Sequence, residues 1–273
     1  MGTNMRTKLL LTCLLCLFTV LAAAQQGEPL PDDKNTVADA QKKLDADPKN
    51  VKLILELGRA QAGVWRADDA IATFTTGLKR EPENVTLLLE RGHRYVSTRR
   101  WELAMKDLDQ ASKLVDQDAP EHYEIWYHIG VAQYLQGHFE DSADAWDRCR
   151  TLAKTDDQRA GSSDWSYMVY RRLKRDREAA LILDKVSPDW KITGSPYYFQ
   201  RLMFYKGLRK ESEMLNEKSE PLVVATVSYG LGNWYLYNGN PAKAREYFEK
   251  AVASKGWAAW GYIASDIELK RMK

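Results

Sequence analysis

The chain has 273 residues, 44% of them hydrophobic and 29% charged, a balance that excludes a disordered polypeptide. Its 40 basic and 38 acidic side chains leave a net charge of +2, without the basic surplus of a nucleic-acid binder. The four histidines and three cysteines form no H-E-x-x-H motif and no Cys-rich zinc pattern, so neither a metal nor a cofactor is expected.

Residues 1–24 differ in kind from the rest. Arg6 and Lys8 precede an almost wholly apolar run from Leu9 to Leu21, and Ala22-Ala23-Ala24 follow it. A basic start, a short apolar middle and a small-residue exit make a secretory signal peptide, cut after Ala24. The run is shorter than the roughly 20 apolar residues of a membrane span. No integral span is therefore expected once the signal is removed; an uncleaved anchor is the alternative. Cys13 and Cys16 lie inside the run rather than after it, so no lipid-attachment cysteine is expected. The protein is accordingly expected to be exported, periplasmic or secreted. Loss of Arg6 and Lys8 would balance the basic side chains against the 38 acidic ones. It would also leave Cys149 as the one thiol, so no internal disulfide is expected.

Residues 25–34 read as a loose lead-in to a domain spanning 35–273. Asn35 to Asp47 suggests one helix, stopped at Pro48. The main signal follows. Gly58 and Gly92, Ala70 and Ala104, Phe74 and Leu108, and Gly77 and Ala111 are matched pairs 34 residues apart. Small residues let two helices approach closely, and the larger ones fill the space beside the crossing. Pro82 stands where the second helix must stop. The clear repeats are thus 51–84 and 85–118. A third, 123–156, follows the insertion Gln117 to Pro120, with Cys149 where the others carry Gly77 or Ala111. Residues 157–224 read as worn helical repeats, 225–258 as another clear one, and 257–270 as a capping helix. Roughly fourteen short helices result, with no period-two alternation that would call for a sheet.

With LELGRAQ, then ADDAIATF, then Pro82, the stretch 51–84 resembles a tetratricopeptide repeat (TPR) throughout. That resemblance implies an all-α superhelical solenoid of helix–turn–helix repeats, in which the first helix of each repeat lines a concave groove. Projected from the repeat phase, the groove carries Lys52, Leu55 and Arg59, then Thr86, Leu89 and His93, then Tyr127 and Tyr134, then Tyr229 and Asn233. Tyr127, Tyr134 and Tyr229 are the expected anchors, because aromatic rings with a polar tip contribute strongly at interfaces. The Lys and Asn pattern that clamps chaperone tails is missing: Leu55, Arg59 and Glu90 stand at the matching positions. The run from Arg171 to Arg177 is the strongest local charge feature and reads as a solvated helix end and turn.

The last third, with REAALILDKV, YYFQRLMFYKGL and LGNWYLYNGNPAKAREYFEKAVASKGW in order, is similar to the bacterial envelope lipoproteins called new lipoprotein I. That resemblance implies a dimeric periplasmic scaffold linking a tail-specific protease to cell-wall hydrolases. The missing lipid-attachment cysteine departs from it. The expected function is therefore an exported adaptor that binds proteins or peptides, without a catalytic site; exposed solenoid ends and grooves also make a homodimer an expectation to test. A structural component of a secretion, pilus or outer-membrane assembly is the alternative.

Overall fold

A computed structural model describes residues 27–272. The signal-peptide reading of residues 1–24 lies outside the described residues. Those described form thirteen α-helices and one short 3-10 turn, with no strand among them. None of these helices is long and apolar enough to cross a membrane.

A leading helix, α1 (Thr36–Ala46), is followed by three regular pairs: α2 (Val51–Gly63) with α3 (Ala67–Leu78), α4 (Val85–Ser97) with α5 (Trp101–Leu114), and α6 (Pro120–Gln136) with α7 (Phe139–Leu152). Next come α8 (Asp156–Arg172) with the shorter α9 (Asp176–Asp184), then α10 (Tyr197–Tyr205) and the 3-10 turn Glu211–Glu213. The chain ends with α11 (Pro221–Tyr237), α12 (Pro241–Ala253) and α13 (Trp260–Arg271). Local chemistry sets the starts. The Asn50, Asn84 and Asn240 side chains accept backbone N–H groups of the first turn. Thr155 and Gln158 form a capping box, and Pro120, Pro221 and Pro241 open their helices.

Within each regular pair, the helices cross at a glycine facing a large side chain sixteen positions on. A Cβ on Gly58 would lie 2.2 Å from Phe74, on Gly92 2.9 Å from Leu108, on Gly130 2.6 Å from Trp146 and on Gly232 2.6 Å from Phe248. The four large partners are fully buried, each worth roughly 1.5–3 kcal/mol of apolar burial. The turn after the crossing repeats as well. Trp65, Arg99, Gly137, Lys174 and Gly239 all have positive φ, between 58° and 87°. In each case the next residue's N–H closes back on the carbonyl five residues earlier, at 2.8–2.9 Å. This is the Schellman close of a helix C-terminus.

The same turn continues where the residue pattern is worn. Lys174 places α8 and α9 in register, with Tyr167 rather than glycine at the crossing. Gly207 closes α10 in the same way, through Leu208 N–H to the Met203 carbonyl at 2.9 Å. No α-helix answers α10: residues 206–220 run as loop and 3-10 turn. Cys149 is free and fully buried, and burial pushes its thiol up, away from the reactive thiolate.

The lead-in is tied down rather than loose. Leu30 N–H donates to the Val64 carbonyl at 2.9 Å, and Trp257 Nε1 donates to the Glu28 carbonyl at 3.1 Å. Trp257 also meets Trp65 edge to face at 5.6 Å. Residues 27–30 therefore join the first repeat to the segment that enters α13.

Candidate functional site

The first helices of the regular repeats touch one another, α2 with α4 and α4 with α6, and so form an inner layer. Its two ends differ. Near α2 the layer is open: Lys52 and Arg59 are exposed, and Leu55 and Thr86 are half-buried. Arg59 reaches across to Glu90 on α4, Nε to Oε1 at 2.6 Å. Thr86 donates to Glu121 at 3.1 Å. Pairs this exposed hold little energy, typically under about 1 kcal/mol, so a ligand can exchange them.

Beyond Glu90 the layer is covered by the protein's own C-terminal unit. α11 packs on α8, and α13 packs on α6 as well as on α11 and α12. Tyr134 on α6 is 1% exposed and Tyr229 on α11 is 0% exposed. The Tyr229 hydroxyl donates to the Tyr134 hydroxyl at 2.8 Å, and Asn233, itself 0% exposed, donates to the same oxygen at 2.9 Å. Arg172 completes the junction by donating to Asn233 at 3.1 Å and to Glu268 at 3.2 Å. Burial opposes the Arg172 charge, but Tyr134 and Glu268 outweigh it and raise its proton affinity.

Nearer the open end, Trp260 of α13 lies 5.1 Å from His93 and 6.0 Å from His128, ring centroid to centroid. The two imidazoles are 4.0 Å apart. Burial pushes His93 well below its usual range, with Arg94 and His128 adding to it, and pushes His128 down to about 4. Among the described residues no group of three or more His, Cys, Asp or Glu side chains could hold a metal ion.

Of the ten expected groove residues, Lys52 and Arg59 are exposed. His93 is half-buried under Trp260. Tyr127 is half-buried, with its hydroxyl donating to Tyr198 at 2.9 Å and accepting from Trp165 Nε1 at 3.1 Å. Tyr134, Tyr229 and Asn233 are internal, which corrects their expected role as open anchors. They share the helix phase of the open residues, but here the chain returns to itself. The basic run also differs from a solvated turn, since Arg172 points into the junction while Arg171 bonds Asn238 at 2.8 Å.

Tetratricopeptide-repeat profiles match residues 89–148 and residues 225–254. The chain carries tetratricopeptide repeats. Among solved structures, the Cut9–Hcn1 hetero-tetramer of the APC/C is 14% identical over 81% of this chain and 37% of that one, with a TM-score of 0.51, a likeness of fold alone. YrrB, described as a TPR protein with an unusual peptide-binding site, is 14% identical over 80% of this chain and 93% of its own, with a TM-score of 0.48. MamA is 20% identical over 75% of this chain and 91% of its own, with a TM-score of 0.45. Comparison with curated proteins gave no match.

The junction of this TPR-containing chain rests on residues the repeat phase had not singled out: Arg99, Trp260, Asp266 and Glu268. Asp266 accepts from Arg99 at 2.8 Å, and the pair is 167 positions apart. The signal available in the sequence was Arg172 within the basic run, and nothing local names its partners.

Proposed function

We propose that this protein is an exported scaffold that holds segments of other proteins on the open part of its inner face, along α2 and α4. The observation that carries the reading is the contrast along one surface. The C-terminal unit fills the inner layer over α6, whereas Lys52, Leu55, Arg59, Thr86 and Glu90 stay accessible on α2 and α4. TPR arrays use such concave surfaces for binding. Two cations, one carboxylate and the half-buried Leu55 suit an extended or helical segment with mixed charge. Export rests on the three-part N-terminal pattern at Arg6, Leu9–Leu21 and Ala22–Ala24. A role between envelope enzymes and a homodimeric state are finer readings that rest on the resemblance of the last third. Fractionation of the native cells would test export, and recovery of one fixed complex rather than several clients would favour the assembly-component alternative.

The binding reading is tested by photo-crosslinking. A crosslinking amino acid placed at Lys52 on the inner face should capture a partner. Arg59→Glu should reduce that capture by about tenfold, consistent with one lost charged contact, while the melting temperature holds. The same probe at Leu103, which is 46% exposed on α5 in the outer layer, is the control. Capture from Leu103 alone, or capture indifferent to Arg59→Glu, would refute the groove.

A further inference from the structure

α13 packs most broadly on α11 and α12, with Ile263 and Ala264 buried in the core, and its ties across the inner face include several polar ones. Asp266 pairs with Arg99, Glu268 with Arg172, and the Arg271 Nη2 group donates to the Leu135 carbonyl at 3.2 Å. Trp260 adds an aromatic contact there, set over His93 and His128. The hydrogen bond at His93 requires that ring to be neutral. Arg94 points a guanidinium N–H at His93 Nδ1, which must therefore offer a lone pair. His128 Nδ1 lies 2.7 Å from the Glu124 carbonyl and so carries a proton there, a donor it offers in either charge state.

The charged groups around the pair are few. α4 supplies Arg94 and Glu90, the latter engaged by Arg59 of α2. α6 supplies Glu124, along with the uncharged Tyr127. α13 presents the uncharged Trp260, its Asp266 being committed to Arg99 and Lys270. A proton on either ring would face Arg94 and its neighbouring imidazole. Glu124 would compensate little, because burial and Glu90 raise its own proton affinity.

We propose that α13 is an acid-released clasp: protonation of the His93–His128 pair expels Trp260 and frees α13 from α4 and α6, uncovering that stretch of the inner face. The sign follows from the closed state holding these protons less tightly than the open one. Closure is complete above the ordinary histidine range and weakens as the pH falls toward about 4. His128 alone, lowered from 6.5 to about 4, shifts the equilibrium toward the open form by up to about 300-fold. Arg172 and Tyr229 lie outside the titrating pair, so α11 is expected to keep its place on α8 while α13 loosens.

Hydrogen exchange on the intact protein without a partner tests the clasp separately from the groove reading. Rates are corrected for the intrinsic effect of pH and compared between about pH 7 and about pH 4.5. Amides of 260–271 should lose at least about tenfold protection at the lower pH, while α2 to α5 keep theirs. The variant H93N/H128N should abolish that difference. If the double variant does not fold, Asp266→Asn serves instead, because loosening the Arg99 tie should move release to higher pH. Protection in α13 that is constant with pH, or lost only together with α8, would overturn the proposal. So would an undiminished acid response in H93N/H128N, or an unmoved release pH in D266N.

Discussion

The regular pairs α2 to α7 and the stretch α8 to α11 share one backbone plan but are held together by different chemistry. In the first, a glycine at each crossing meets Phe74, Leu108 or Trp146, and packing is apolar. In the second, the register set by Lys174 puts Tyr167 where the regular pairs carry glycine, and no α-helix answers α10. Arg201 takes over. Its side chain is 1% exposed and bonds Asp164 of α8, 0% exposed, while Nη1 donates to the Thr226 carbonyl of α11 at 2.8 Å. Gly230 makes room for it, since a Cβ there would lie 2.2 Å from Arg201 Cδ. Burial opposes the Arg201 charge, yet the Asp164 carboxylate outweighs it and keeps the guanidinium protonated. A repeat can thus lose its small-residue signature and keep its turn, provided another interaction spans the helices.

Three substitutions would break or sharpen that contrast. The largest effect is expected from Asp164→Ala, which strands the buried Arg201 charge and should cost about 3–5 kcal/mol in denaturant unfolding. Replacing the pair together, as D164L/R201M, should recover most of the loss. Near-neutral behaviour of D164A would mean that α8 to α11 does not depend on the ion pair. A smaller effect is expected in the regular region, where Gly58→Ala forces a methyl against Phe74 and should cost about 1–3 kcal/mol by the same assay. If G58A folds with unchanged stability, the close-crossing account of α2 and α3 fails. The smallest is a gain. Lys174 is an exposed residue with φ 59°, and Lys174→Gly should raise stability by about 0.5–1 kcal/mol through relief of the left-handed conformation. A lowered melting temperature in K174G would contradict the account of strain at this turn.

The stride of 34 residues made the crossings at Gly58 and Gly92 legible, and with them Ala70, Ala104 and the buried Cys149. These are contacts between helices adjacent in the chain, so the residue types alone report them. The α8 to α9 pair was visible only dimly, because its register is carried by a backbone turn that Lys174 adopts as readily to the eye as any lysine. The same limit applied to the site. Arg59 was placed on an accessible inner face, but Tyr134, Tyr229 and Asn233 shared that phase and became interior.

What the sequence by itself determined was the local rule: which side chains are small, where each helix stops, and which side of each helix turns inward. Only the tertiary structure decided that the array closes on itself, bringing Asp266 to Arg99 and Trp260 to His93. The physical reason is that closure depends on small rotations accumulated from one repeat to the next. No single repeat encodes that sum, so partners 167 positions apart meet only when all the intervening helices have packed.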